Sequence, residues 1–90
     1  MRNNKVRAMK IIEKKTEYGG HEYRFDNGEW VCLWPEDESW EYQKDPDDEE
    51  TYMSGGYELE GSTVEGYDGC FELPQAVQDA MRDYGYKLDL

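Results

Sequence analysis

Turn residues cut the first half of the chain into short segments, and this punctuation limits the fold more than any other feature of the sequence. Gly19-Gly20 is a tight-turn dipeptide. Asp26-Asn27-Gly28 is a second turn, made of residues that tolerate positive φ. Pro35 ends a third segment, because proline lacks the N–H that a strand donates to its neighbour. The punctuation predicts short antiparallel strands in a meander.

Four strands are predicted between these turns, over residues from about 9, then 21–25, 29–34 and 39–43. The third strand contains the run WVCLW, which is apolar at both odd and even positions. Both of its faces are therefore suited to burial, which indicates a central strand. Glycines punctuate residues 51–70, and one or two further strands are predicted near 57–60 and 70–73.

The segment LPQAVQDAMRDYG predicts a helix over residues 74–84, with Pro74 in its first turn and Gly85 as its C-terminal cap. Apolar side chains follow the i, i+3, i+4, i+7 spacing of a helix face, at Val77, Ala80, Met81 and Tyr84. The polar residues Gln78, Asp79, Arg82 and Asp83 fall mostly on the opposite side of the helix. Residues 86–90 alternate and allow a final edge strand. The predicted fold class is α+β, a small antiparallel β-sheet (meander) with one C-terminal helix packed on a face. We expect the core to include Phe25, Trp30, Leu33, Val77 and Met81.

The charge of the chain is large and unevenly spread. The chain of 90 residues is predicted to be a single small acidic domain, residues 1–90, with a formal net charge of -12. Its basic N-terminal segment, residues 1–15, has six basic side chains and one acidic one, and residues 16–90 have four basic and 21 acidic. Such a body repels nucleic acid and anionic membranes and attracts basic surfaces.

The sequence contains no motif for catalysis or for cofactor binding. The single histidine, His21, stands beside a turn, and the cysteines, Cys32 and Cys70, adjoin aromatic residues and are expected to be buried thiols. The loop that starts at Asp45 has Glu50 where a calcium-binding EF-hand needs glycine, although looser calcium binding stays open. There is no phosphate-binding glycine motif. We expect no enzyme activity, no cofactor and no metal site.

The stretch WPEDESWEYQKDPDDEE, residues 34–50, is the candidate site. Nine of its seventeen residues are acidic, and no basic residue follows between 45 and 81. Concentrated like charge costs stability through self-repulsion, which favours a surface that meets a positive partner over a merely solvated loop. Trp40 and Tyr42 are expected to be exposed anchors of the interface. The predicted partner-binding residues are Glu36, Asp37, Glu38, Trp40, Glu41, Tyr42, Asp45, Asp47, Asp48, Glu49, Glu50, Glu58 and Glu60.

In size and acidity alone, the chain is similar to small phage-encoded nucleic-acid mimics, among them anti-CRISPR proteins. That resemblance implies an inhibitor that occupies a basic nucleic-acid-binding surface of a host protein, such as a CRISPR effector or a nuclease. Two alternatives stay open: an antitoxin or immunity protein that neutralises a basic nuclease, and a small accessory protein-interaction domain. Neither direct nucleic-acid binding nor membrane binding is expected. The expected location is the cytoplasm of a bacterial host cell.

Overall fold

The fold is a five-stranded antiparallel meander with one helix, as seen in a computed structural model that describes residues 9–56 and 73–85. The strands follow one another in the sheet in chain order. They are β1 Ile11–Glu17, β2 Gly20–Phe25, β3 Trp30–Trp34, β4 Ser39–Gln43 and β5 Tyr52–Gly56, and the helix α1 is Gln75–Tyr84. The predicted α+β class is confirmed. The strands predicted at 57–60 and 86–90, and most of the one at 70–73, lie outside the described residues.

The first hairpin turns one residue earlier than predicted. Glu17 pairs with Gly20 across the turn, so the two turn residues are Tyr18 and Gly19. Both have positive φ, at 55° and 85°. Positive φ at both positions is the geometry of the type I′ turn, whose twist matches that of the flanking strands. Gly20 is then free to begin β2 rather than form the turn.

The core lies between one face of the sheet and α1. Strand β3 is the central strand, as predicted, and its Val31 and Leu33 are fully buried on the face that meets the helix. The core cluster consists of Tyr23, Phe25, Val31, Leu33, Trp40, Tyr42, Leu73, Ala76, Val77, Ala80 and Met81. Trp30 is only half-buried, so its expected place in this core was wrong. Strand alternation puts Trp30 on the opposite face, beside Cys32 and Trp34.

The helix ends where the sequence predicts and begins one residue later than predicted, at Gln75. Pro74 is the N-cap, and Gly85 closes the C-terminus at a φ of 117°, donating its N–H to the carbonyl oxygens of Met81 and Arg82. Gln78 was expected on the solvent side but is buried. Its side-chain amide donates a 2.9 Å hydrogen bond to the Leu73 carbonyl oxygen, which offsets the cost of burying it. Over the residues that the structure describes, no helix is long and apolar enough to cross a membrane.

Strand β5 is the one described strand that the sequence did not predict at its observed place, and the short 3-10 helices at Pro35–Asp37 and Glu49–Thr51 were not predicted either. It covers Tyr52–Gly56, before the position where a strand was expected. Residues of β5 pair antiparallel with β4, and Gly55 lies opposite Trp40. A large aromatic residue across from a strand glycine compensates for the missing side chain. The pairing with β4 therefore supports a strand whose own composition is unfavourable.

Candidate partner-binding surface

The acidic stretch divides into two clusters at opposite ends of the sheet. The connection between β3 and β4 carries Glu36, Asp37 and Glu38, which we call the hairpin rim. The connection between β4 and β5 carries Asp45, Asp47, Asp48, Glu49 and Glu50, which we call the loop rim. Successive connections of a meander lie at alternate ends of the strands, so β4 separates the two rims. The run of acids that looks continuous in sequence is therefore two surfaces in space.

The loop rim is tightly organised by its own side chains. The carboxylate of Asp45 accepts the N–H of Asp47, and the carboxylate of Asp48 accepts the N–H of Glu50, each at 3.0 Å. The hydroxyl of Thr51 donates towards the carbonyl oxygens of Asp48, at 2.7 Å, and Asp45, at 3.1 Å, and accepts the Asp45 N–H at 3.0 Å. Two of the five carboxylates thus hold the loop, and the other three accept no backbone N–H from residues 9–56 or 73–85.

The rim acids form no ion pair with any lysine or arginine that the structure describes. All the acidic residues of both rims are exposed. Among residues 9–56 and 73–85, lysine and arginine form ion pairs with other acids, namely Glu13, Glu17, Asp79 and Asp83, and with no rim acid. Predicted residues Glu58 and Glu60 lie outside the described residues. The rims therefore present six exposed carboxylates that neither a cation nor a backbone N–H of the described residues engages: Glu36, Asp37, Glu38, Asp47, Glu49 and Glu50.

The prediction that Trp40 and Tyr42 are exposed anchors is wrong for both residues. Trp40 and Tyr42 retain only 3% and 6% of their surface exposed and belong to the core. The cause is register, because Trp40 pairs with Leu33 and Tyr42 with Val31 on the face covered by α1. Burial, then the negative charge of Glu29 and a hydrogen bond to it, raise the pKa of Tyr42 to about 12.

The side chain of Glu41 projects from the other face of β4 and meets two aromatic residues. Its carboxylate accepts the indole N–H of Trp34 at 2.5 Å and the hydroxyl of Tyr52 at 3.1 Å. Partial burial, then the hydrogen bond to Glu41 and its charge, raise the pKa of the Tyr52 phenol. Glu41 was predicted as a partner-binding residue, but Trp34 and Tyr52 were not. The run WVCLW could have indicated Trp34, because it puts apolar residues on both faces of β3. One helix covers only one face of a sheet, so the aromatic residues of the other face remain available to a partner.

Cys32 lies near Trp34, since a Cβ atom at Gly20 would approach both side chains, and its thiol is buried. Its side chain is 2% exposed. Burial, with smaller contributions from the charges of Glu41 and Glu22, raises its pKa from 9.0 to about 12. A thiol with this pKa stays protonated at neutral pH and is a poor nucleophile. His21 contacts the ring of Tyr84, with centroids 4.6 Å apart, and Cys70 lies outside the described residues.

These raised pKa values predict that alkaline pH destabilises the domain. Below pH 9 the Cys32 thiol is protonated in both the folded and unfolded states. As the pH rises towards 12, the unfolded chain releases a proton that the folded chain keeps, so stability falls. We expect the melting temperature to drop across this window. The drop should be shallower in Cys32→Ala, and equal slopes in the two proteins would show that burial does not hold this proton.

In the part of the chain that the structure describes, no three side chains of His, Cys, Asp or Glu come together as a metal site would require. Comparisons with protein-family models, with curated proteins and with solved structures found no match for this chain. The candidate function must therefore be argued from the surface itself.

Proposed function

We propose that this protein is an acidic inhibitor that covers a basic nucleic-acid-binding surface of another protein. The observation that carries the proposal is the set of exposed carboxylates on the two rims, which form no ion pair with a lysine or arginine of residues 9–56 or 73–85. Like charge concentrated on a small domain raises the energy of the free protein through self-repulsion. A basic partner relieves that repulsion and is attracted over a distance set by screening, about 10 Å at 0.1 M salt.

The presence of two separate acidic rims supports a nucleic-acid mimic. Residues of a strand advance by about 3.3 Å, so β4 spans about 13 Å from Ser39 to Gln43, and the rims lie beyond its two ends. A DNA duplex likewise presents its phosphates in two rows, one along each side of a groove. Two separate acidic rims suit a basic surface that receives two rows of negative charge. A phage-encoded, anti-CRISPR-like role against a CRISPR effector is the form of this proposal to test first.

The antitoxin alternative rests on the same rims and differs in the partner, which would be a basic nuclease made beside it. A separate observation favours the third candidate, an accessory interaction domain. The second face of the sheet presents Trp34 and Tyr52, which are aromatic residues of the type that dominate protein interfaces. An interaction of that kind would depend on these two residues and would be insensitive to the rim charges.

Neutralising the rims is expected to slow association with a captured basic partner. One variant combines Asp47→Asn, Glu49→Gln and Glu50→Gln, which leaves the two loop-holding aspartates intact. A second variant neutralises Glu36, Asp37 and Glu38 in the same way. Each should lower the association rate about tenfold at low salt and change the dissociation rate less, because exposed charges act mainly on encounter. Surface plasmon resonance measures both rates.

The matched control removes three acids that already have cationic neighbours. Glu13 lies 3.3 Å from Arg24, Glu17 lies 3.8 Å from Lys15, and Asp83 lies 3.4 Å from Lys14. Converting Glu13, Glu17 and Asp83 to their amides changes the net charge by the same amount as either rim variant. If this control slows association as much as the rim variants do, overall charge rather than the rims directs binding, and the rim proposal fails.

A further inference from the structure

We propose that a cleft on the second face of the sheet binds the guanidinium group of an arginine side chain on the partner. The cleft, here called the Trp34 cleft, lies across the ends of β3, β4 and β5. The residues that line it and carry the proposal are Trp34, Asp37, Ser39, Glu41, Tyr52 and Ser54. This inference rests on the proposed function, because it names the chemical group by which a basic partner is recognised.

The indole of Trp34 is fixed in place at both of its ends. Its six-membered ring lies over Gly20 so closely that a Cβ atom at Gly20 would be 2.8 Å from Cζ3 and from Cη2 of the ring. Its Nε1 donates to Glu41 on the other side of β3. The indole thus reaches from β2 to β4, and the side chain remains half-buried rather than covered. A ring held in this way loses little conformational entropy when a ligand stacks on it.

The carboxylate of Glu41 accepts two hydrogen bonds from the residues that the structure describes, which is fewer than it has positions for. A carboxylate offers about four acceptor positions, and the bonds from Trp34 and Tyr52 occupy two of them. Both of these donors are neutral. No lysine or arginine of residues 9–56 or 73–85 forms an ion pair with Glu41. Because Glu41 is half-buried, its charge is less screened than that of a rim acid, which favours a cation in the cleft.

Arginine fits this combination better than other ligands do. A cation within about 6 Å of an indole face is attracted by the ring, and tryptophan is the best such ring. The planar guanidinium stacks on an aromatic face and also donates two parallel hydrogen bonds to a carboxylate, whereas the lysine ammonium acts as a point charge. A nucleic-acid base would also stack on indole, but its phosphates would meet Asp37 and Glu41. The charge of the cleft therefore selects against nucleic acid.

The test uses N-acetyl-arginine amide as the probe and N-acetyl-lysine amide as its matched control, at constant ionic strength. The indole N–H signal of Trp34, assigned with Trp34→Phe, is followed by NMR in the full chain. We expect a saturable shift with the arginine probe and about tenfold weaker binding of the lysine probe. Glu41→Gln should weaken arginine binding about tenfold. Glu13→Gln removes the same charge from outside the cleft and both rims, and should leave binding within about twofold.

The proposal is overturned if the Trp34 signal does not saturate, if the two probes bind equally, or if Glu13→Gln weakens binding as much as Glu41→Gln does. A dispersed spectrum of Glu41→Gln establishes that this variant is folded. Failure here is distinct from failure of the proposed function. If arginine binds but the protein does not displace nucleic acid from the partner, the arginine site is supported and the proposed function is contradicted. If the rim variants associate more slowly but arginine does not bind, the proposed function is supported and the arginine site is contradicted.

Discussion

Replacing Trp40 with alanine is expected to lower the free energy of unfolding by about 3–5 kcal/mol. The indole is 3% exposed, lies in the core cluster and faces Leu33 in the neighbouring strand. Its removal takes away apolar burial and leaves a cavity that the paired strands cannot close. Small domains are stable by only about 5–15 kcal/mol, so a loss of this size affects much of the total. Urea unfolding followed by circular dichroism measures the change.

Tyr18→Ala is the control for the Trp40 substitution. Tyr18 is also aromatic but is 91% exposed, at the tip of the first hairpin. Its replacement should alter stability by about 0.5 kcal/mol or less, as surface substitutions usually do. A Trp40→Ala protein that is as stable as Tyr18→Ala would show that Trp40 does not lie in the core. That result would instead support the sequence-based prediction that Trp40 is an exposed anchor.

Met81→Ala is expected to destabilise the domain by about 2–5 kcal/mol. Met81 has no exposed surface and lies on the face of α1 that packs against the sheet. Its loss weakens the contact that holds the helix on the meander, so the helix and the sheet should unfold in the same transition. Far-ultraviolet circular dichroism and tryptophan fluorescence, measured along one urea titration, test both the size of the change and the coincidence of the two signals.

Met53 supplies a control of the same residue type for Met81. It lies on the edge strand β5 and is 46% exposed. Met53→Ala should therefore cost well under half of what Met81→Ala costs, because most of the transfer free energy depends on burial. Equal losses at the two positions would contradict the packing of α1 on the sheet. Separate unfolding of the helix signal and the sheet signal would contradict it too.

Local sequence patterns predicted the elements whose signals are local. The turn residues placed the first four strands to within two residues at most of their ends, and the apolar spacing from Val77 to Met81 placed the helix. Strand β5 was not predicted at Tyr52–Gly56, because two of its five residues are glycines and its stability depends on pairing with β4. Pairing with a neighbouring strand leaves no mark on the composition of β5 itself.

The candidate site shows a similar limit, because the residues of one strand do not reveal its register with the next. Acids at both ends of β4 were correctly placed in exposed connections, since a charged run with proline suits a loop. The aromatic residues of β4 were assigned to the surface because their sequence neighbours are acidic. In a strand, however, neighbours point to opposite faces, and Trp40 points into the core while Glu41 points away from it. Only the register with β3 decides which of them faces the helix.

Competition with nucleic acid is the most direct measurement of the central claim. A partner captured from a bacterial lysate is purified with its labelled DNA or RNA, and the release of label is followed as the protein is added. At about 50 mM salt we expect complete release, and at about 500 mM salt much weaker binding, because screening shortens to a few ångströms as salt approaches 1 M. Binding that is equally strong at both salt concentrations, with the nucleic acid still held by the partner, would contradict the account.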